Sequence, residues 1–314
     1  MPDEMTASAL LRRLGETLAT LVVASLVVYL LVDLLPGDAA SMYLGKDGVV
    51  DPAALERLRK EFGLDRPVIT RYVDWVWGVL RGDLGRSFVS EMPVTDLLAP
   101  RLNNTLVLLG ITLAIMLPLS IIAGVVSAVR SGSTLDVATQ TFTLAVASMP
   151  SFVLGIGLVV VFAFLWPVLP AVSLSLSPST VVLPVAVMVL GWMPFPTRMI
   201  RAGVINALRS PYAEMALLKG LPRRRRLVSH VLPNAIVPGV HAFALTAASM
   251  PAGVVVVEYL FGFQGVGVLL IDSVRARDTP TVQSLTLILV AFYLFANAVS
   301  DAATTLLTPR LRVR

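Results

Sequence analysis

The chain has 314 residues, of which 56% are hydrophobic and only 14% are charged, and its net charge is +5. Soluble domains have about a quarter of their residues charged, so this composition argues against a soluble enzyme, and the high hydrophobicity excludes intrinsic disorder. The absence of cysteine excludes disulfide frameworks and thiolate sites, and the positive charge indicates the basic cytoplasmic loops of a membrane protein rather than nucleic-acid binding.

Several stretches without acidic or basic side chains are long enough to cross a bilayer, which requires about 20 mostly apolar residues. The run between Asp136 and Arg198 is too long for one helix, and a loop rich in proline and serine at 166–179 divides it. We predict an all-α integral membrane protein with six transmembrane helices, at 15–36, 104–129, 141–165, 181–202, 236–259 and 281–306. The first is interpreted as a membrane helix rather than a signal peptide, because its apolar stretch is too long.

An even number of spans places both termini on the same side of the membrane. Basic residues cluster between the fourth and fifth spans, so the positive-inside tendency places that loop and both termini in the cytoplasm. The predicted organisation is a cytoplasmic tail at 1–14, an extracytoplasmic helical segment at 37–103, a membrane core at 104–306 that includes a cytoplasmic loop at 203–235, and a cytoplasmic tail at 307–314.

The segment 37–103 is the only sizeable part outside the predicted spans. Asp51 and the proline after it are typical of a helix start, and Pro67 opens a second helical stretch. The segment is interpreted as a structural cap over the membrane helices, with Trp75 and Trp77 at the lipid interface. A docking scaffold for an external partner is the alternative, and a cap can also dock a partner.

The cytoplasmic loop 203–235 contains the most specific pattern. Ser210 can cap a helix that begins with proline, and Gly220 can take the left-handed conformation that ends it, so we predict a helix at 211–219. A second segment is predicted at 223–232. The first helix has a candidate contact face with i, i+3, i+4, i+7 spacing, formed by Tyr212, Met215, Ala216 and Lys219. Such a face suits a partner's groove or lipid, and the arginines at 223–226 suit anionic headgroups.

The pattern Glu214-x-Ala216, with Gly220 six residues after the glutamate and Leu232-Pro233 downstream, resembles the EAA loop of ABC importer permeases. More narrowly, the chain is similar to the first, B-type permease of the dipeptide/oligopeptide/nickel transport family. The motifs that carry this narrower resemblance are Lys219-Gly220-Leu221, His230-x-Leu232-x-Asn234-Ala235, Leu34-Leu35-Pro36-Gly37-Asp38, Phe62-Gly63-Leu64-Asp65-Arg66-Pro67, Met149-Pro150-Ser151-Phe152 and Arg277-Asp278-x-Pro280. They span nearly the whole length. Two departures are Met215 at the motif's second alanine and a short loop at 166–180.

The resemblance implies a type I ABC importer permease fold that works by alternating access in the bacterial inner membrane. It also implies a second permease subunit as heterodimer partner, two ABC ATPase subunits or domains, and an extracytoplasmic solute-binding protein. The chain has no GxxxxGK[ST] motif, so ATP and magnesium are expected on the ATPases and no cofactor or metal is expected here. Short peptides are the leading substrate class, with nickel complexes, glutathione and other small solutes as alternatives.

The resemblance assigns two groups of residues to the cytoplasmic loop. Those expected to couple to the ATPase are Tyr212, Glu214, Met215, Ala216, Lys219, Gly220 and Leu221, and those expected to support the loop are His230, Leu232 and Asn234. The translocating chain itself is not expected to be an enzyme.

Polar residues in or near the spans are candidates for the substrate path or a gate: Arg198, Glu258, Asn297 and Asp301. Snorkelling at helix ends also explains Arg198 and Asp301, and an interhelical hydrogen bond explains Asn297. The rival interpretations are a secondary transporter, a non-transporting scaffold and a membrane enzyme. The centres of the spans carry no formal charge for ion coupling, and no nucleophile or metal set converges.

Overall fold

The computed structural model describes residues 2–34, 37–44 and 52–307, and the side chains of 2–11, 13, 14 and 300–307 are outside this description. The predicted helix start at Asp51 and the predicted tail after residue 307 lie outside the described residues. In the described part the chain is helical, apart from turns and one isolated bridge between Arg86 and Pro93. It forms two compact units, one of Met1–Asn104 with Gln264–Leu294 and one of Thr105–Phe263 with Phe295–Arg314.

The described helices follow one another along the chain. They are α1 Pro2–Leu34, α2 Ala39–Leu44, α3 Pro52–Glu61, α4 Val68–Leu80, α5 Val94–Val129, α6 Thr134–Ala147, α7 Ser151–Val159, α8 Pro178–Trp192, α9 Pro194–Leu208, α10 Pro211–Leu218, α11 Arg223–Arg226, α12 Leu232–Ala235, α13 Val237–Phe261, α14 Val266–Arg275 and α15 Thr279–Leu307. Two π-helical turns, Val160–Leu165 and Leu227–Val231, continue α7 and α11.

The predicted number of membrane spans is confirmed. Four helical stretches of the described chain are each long and apolar enough to cross a bilayer: Gly15–Leu34, Val94–Val129, Val237–Phe261 and Thr279–Val299. Two bent pairs can supply the other two spans, Thr134–Ala147 with Ser151–Leu165 and Pro178–Trp192 with Pro194–Leu208. The fold is therefore an all-α membrane fold with up to six spans.

The predicted spans 141–165 and 181–202 are each broken into two helices. The axes of the first pair differ by 105° across Pro150, and those of the second pair differ by 44° across Pro194. Proline lacks the N–H that would continue the helix and disfavours a helical conformation in the residue before it, so each proline starts a new helix.

The first unit is organised around a buried apolar cluster and one buried carboxylate. Leu98, Val266 and Leu285 form the centre of the cluster. Asp278 accepts hydrogen bonds from the Ser87 hydroxyl at 2.5 Å, the Phe88 N–H at 3.0 Å and the Thr281 hydroxyl at 2.7 Å. These bonds attach the turn after α4 to the start of α15. Helices α3 and α4 confirm the two predicted helices of this segment, whereas α2 and α14 were not predicted.

The second unit contains closely packed helices. A Cβ built on Gly203 of α9 would overlap the carbonyl oxygen of Ala235, and one built on Gly239 of α13 would overlap the Ile200 side chain. Small residues at such contacts let the backbones of membrane helices approach each other. Gly262 is a turn glycine, because it ends α13 in the left-handed conformation at φ +61°. Gly267, in contrast, is buried inside α14.

Candidate coupling site on the loop between the fourth and fifth spans

Helix α10 has the sharp boundaries that its sequence predicts. It spans Pro211–Leu218 after Ser210, which adopts an extended conformation. The Ser210 hydroxyl does not cap the helix, because it donates instead to the Ala207 carbonyl oxygen at 2.5 Å. Gly220 follows at φ +73°, and its N–H donates to the Leu217 carbonyl oxygen at 2.9 Å. A residue with a side chain rarely adopts this conformation, so Gly220 fixes the direction of the chain after α10.

One face of α10 is fixed to the second unit. Ala213 and Ala216 are each 3% exposed. Ala213 belongs to a buried apolar cluster, the loop cluster, which joins α5, α9, α10, the second π turn and α12 and consists of Ala128, Ile200, Val204, Ala207, Ala213, Val231 and Ala235. Because buried alanines allow close helix contacts and leave no room for independent movement, α10 is held as part of this packed group.

The exposed face of α10 differs in one member from the expected contact face. Tyr212, Met215 and Lys219 are exposed as expected, together with Glu214. Ala216 lies on the packed face, and its inclusion in the contact face was wrong because it shares a side of the helix with Ala213, three residues earlier. Two exposed apolar residues were missed, Leu217 and Leu218. Their exposure could have been predicted from their position, because hydrophobic side chains in the last turn of a short surface helix have few buried neighbours to pack against.

The second half of the loop also supports α10. Leu221 follows the turn, and its N–H donates to the Ala216 carbonyl oxygen at 3.2 Å. Leu232 packs against the loop cluster, and the Asn234 side-chain amide donates to the His230 carbonyl oxygen at 3.4 Å. The predicted end of this segment at Pro233 was wrong. Helix α12 continues through it, because a proline in the first turn of a helix needs no N–H partner.

A buried ion pair lies beside the loop cluster. Asp136 at the start of α6 is 3% exposed and is bound by Arg201 of α9. The same carboxylate accepts the Ser127 hydroxyl at 2.5 Å and the Gly132 N–H at 2.9 Å. Ser127 and Arg201 are sequence neighbours of Ala128 and Ile200 in the loop cluster, so the ion pair and α10 share the same supporting helices. Sequence reasoning missed this pair, because Asp136 and Arg201 are 65 residues apart in the chain.

The candidate residues of the substrate path are on different helices. Glu258 of α13 is fully buried and accepts a hydrogen bond from the Thr105 hydroxyl at 2.6 Å. Arg198 of α9 is exposed, Asn297 of α15 is partly buried, and the Asp301 side chain is outside the described residues. Glu258 thus has a structural partner that joins α5 to α13, and the role of these residues in a substrate path stays a prediction.

Comparison with known proteins assigns the chain to a family. Residues 117–313 match the family described as binding-protein-dependent transport system inner membrane component, and residues 6–109 match the N-terminal domain of such membrane components. The chain is 32% identical over 310 residues to a probable peptide ABC transporter permease protein of Sinorhizobium fredii, covering 96% of this chain and 98% of that protein. It is 31% identical over 341 residues to the dipeptide transport system permease protein DppB of Escherichia coli, covering 96% and 98%. The chain therefore belongs to the family of binding-protein-dependent transport system inner membrane components.

Proposed function

We propose that the chain is a permease subunit of an ATP-driven ABC importer and forms half of a translocation path for short peptides. The observation that carries this proposal is α10, a short helix fixed by buried alanines that presents exposed apolar side chains. The peptide substrate is supported by the names of the relatives, one a peptide and the other a dipeptide permease. An extracytoplasmic solute-binding protein delivers the peptide in this proposal.

ATP hydrolysis takes place on partner subunits, and α10 is where their movement enters the membrane domain. Tyr212, Met215 and Leu218 are exposed in the chain alone, and a hydrophobic groove of an ATPase subunit would remove them from water. Because Ala213 belongs to the loop cluster, a displacement of α10 must move α9 and α12 as well. Closure of the ATPase dimer is thereby converted into a change of access on the two sides of the membrane.

The proposed topology places both termini and the loop 203–235 in the cytoplasm and the segment 37–103 outside. The four arginines of α11, of which Arg223, Arg224 and Arg225 are exposed, support this orientation, because basic loops are retained on the cytoplasmic side. A sister permease subunit completes the path as the other half of a heterodimer.

The coupling role is tested with Gly220→Val in the assembled importer in proteoliposomes. Valine is unfavourable at φ +73°, so the turn after α10 is displaced and we expect at least a tenfold loss of ATP-driven peptide uptake. Basal ATP hydrolysis by the partner subunits is retained, because they are unchanged. Gly110→Val is the matched control, since a Cβ at Gly110 meets nothing within 4 Å.

Three outcomes would contradict the proposal. Normal uptake and normal stimulated ATP hydrolysis in both Gly220→Val and Glu214→Arg would remove α10 from the coupling path. Uptake by this chain alone, driven by an ion gradient, would make it a secondary transporter. Uptake of nickel complexes or glutathione without any uptake of di- or tripeptides would reject the peptide substrate while leaving the importer assignment intact.

A further inference from the structure

Helix α4 is attached to the first membrane span by polar contacts at an unexpected depth. The hydroxyl groups of Tyr72 and Ser25 are 2.8 Å apart, and the Tyr72 hydroxyl donates to the Val22 carbonyl oxygen at 3.3 Å. The rings of Tyr72 and Tyr29 have centroids 5.4 Å apart. Ser25, Val22 and Tyr29 all belong to the span Gly15–Leu34. Helix α4 therefore lies alongside this span rather than beyond its end.

A second contact fixes the depth of α4. Arg71 reaches in the opposite direction along α1 and binds Asp33 at 2.6 Å, with its guanidinium 5.9 Å from the centre of the Tyr29 ring. The residues at 71–72 thus lie level with Tyr29. Tyr29 precedes Leu34 by five residues, which at about 1.5 Å of rise per residue is about 7.5 Å inside the end of the span. Amphipathic helices in a membrane interface lie about 5–10 Å deep, so this depth is that of an interfacial helix.

The side of α4 that faces away from the protein is apolar. Four side chains at intervals of four, four and three residues share this side, and each is more than half exposed: Ile69, Val73, Trp77 and Leu80. The facing side contains Tyr72, which is buried. The spacing is that of a stripe on one helix surface, here called the α4 stripe.

One edge of the α4 stripe is polar. Asp74 follows Val73 and is paired with Arg66 at 2.6 Å. Arg81 follows Leu80, and its guanidinium lies 4.9 Å from the centre of the Trp77 ring. An apolar stripe bordered by an ion pair and by an arginine over a tryptophan is the arrangement expected at a membrane–water boundary, where aromatic rings and long basic side chains meet the headgroups.

We propose that α4 is an interfacial helix whose α4 stripe is embedded in the acyl chains of the leaflet entered by the carboxyl-terminal half of α1. The stripe continues the lipid-facing surface of that span, where Val27 and Leu31 are also exposed at the same level. In this arrangement α4 anchors the segment between the first two spans in the membrane. The turn after α4, fixed by Asp278, is then held at the headgroup level. This inference requires only that α1 crosses the membrane and is independent of the substrate and of the ATPase.

The absence of cysteine makes a direct test possible, because spin labels can be attached at single introduced cysteines. The variants are Ile69→Cys, Val73→Cys and Leu80→Cys on the α4 stripe, with Thr70→Cys as the exposed neighbour outside it. Each is assembled with cysteine-free partner subunits in liposomes. Collision rates of the labels are measured with oxygen, which concentrates in acyl chains, and with a water-soluble nickel chelate. We expect a severalfold higher oxygen-to-nickel ratio at the three stripe positions than at Thr70→Cys.

Two results would overturn the proposal. High nickel accessibility at the stripe positions would place α4 in water. Exclusion of both reagents, relieved when the sister subunit is removed, would make the stripe a protein interface. A second measurement avoids label-induced misfolding: brominated phospholipids should quench the fluorescence of the unlabelled chain more than that of Trp77→Phe. Equal quenching of the two chains, relative to unbrominated lipid, would show that Trp77 does not contact acyl chains.

Discussion

Arg201 holds Asp136 through two parallel hydrogen bonds, one from Nε and one from Nη2, each 2.7 Å long. The geometry is bidentate, so the pair fixes the relative orientation of α6 and α9 as well as their distance. Arg201 directly follows Ile200, a member of the loop cluster. The pair therefore stabilises a helix that also holds α10, namely α9. The loop therefore rests on an apolar cluster and an ion pair together.

Removing the arginine should destabilise the protein strongly. In Arg201→Ala the Asp136 carboxylate stays buried without its cation, and loss of one partner of a buried pair costs about 3–5 kcal/mol. The double variant Asp136→Ala/Arg201→Ala should recover part of this loss. Thermal unfolding in detergent measures both, with Arg198→Ala, exposed on the same helix, as the control. Equal stability of Arg201→Ala and Arg198→Ala would contradict a structural role for the pair.

Adjacent positions on α10 should have separable effects on stability and on coupling. Met215 is 54% exposed and Ala216 is 3% exposed. Met215→Ala should leave the unfolding temperature unchanged and lower the stimulated ATP hydrolysis of the assembled importer. Ala216→Leu should destabilise the chain by about 1–3 kcal/mol, because overpacking displaces the neighbouring helices. If Met215→Ala lowered stability and left coupling intact, the exposed face would not be the contact face.

Local signals explain what the sequence could predict. Proline after Ser210 and glycine at 220 fix the ends of α10 within one residue, because the backbone requirements of helix ends lie within a few positions. The six spans follow from charge-free length in the same way. Pro150 marks a place where a helix can kink or end, but the size of the 105° bend could not be predicted, because hydropathy carries no direction.

Tertiary contacts explain what the sequence could not predict. Burial of Ala216 rather than exposure depends on α10 lying against the loop cluster, whose members come from five different elements. The pairing of Asp136 with Arg201 joins residues far apart in the chain. Helix α14 was missed because its apolar residues form only a short run between Gly265 and Asp272. A run of this length does not by itself indicate a helix. In each case the deciding contact is absent from the local sequence.

Close helix packing at glycine gives a third prediction. A Cβ on Gly239 would overlap the Ile200 side chain, so Gly239→Ala must separate α13 from α9 or force Ile200 into a strained conformation. We expect a loss of about 1–3 kcal/mol in stability, since overpacking a closely packed core costs this much. Gly191→Ala is the matched control, because a Cβ there meets nothing within 4 Å. Thermal unfolding of the two variants should differ clearly, and equal unfolding temperatures would show that the contact can relax freely.

The last prediction concerns pH and the segment after the first span. Burial tends to raise the pKa of Asp38, but hydrogen bonds from Ser41 and Arg59 outweigh it and lower the pKa below its usual value of 3.8. The Arg59 Nε lies 2.6 Å from the carboxylate and joins α3 to the start of α2. Because the folded form has the lower pKa, this contribution is complete above pH 3.8 and is lost as the pH falls through the folded value.

Hydrogen exchange of peptides from α2 and α3 measures this effect, after correction for the intrinsic pH dependence of exchange. We expect protection in the wild type to fall as the pH is lowered below 3.8, while Asp38→Asn is less protected at neutral pH and changes little on acidification. Asp74→Asn is the control, because Asp74 lies on α4 rather than on α2 or α3 and forms an exposed ion pair with Arg66. The same acid-dependent loss in Asp38→Asn as in the wild type would assign the titration to another carboxylate, since an amide cannot release a proton in this range.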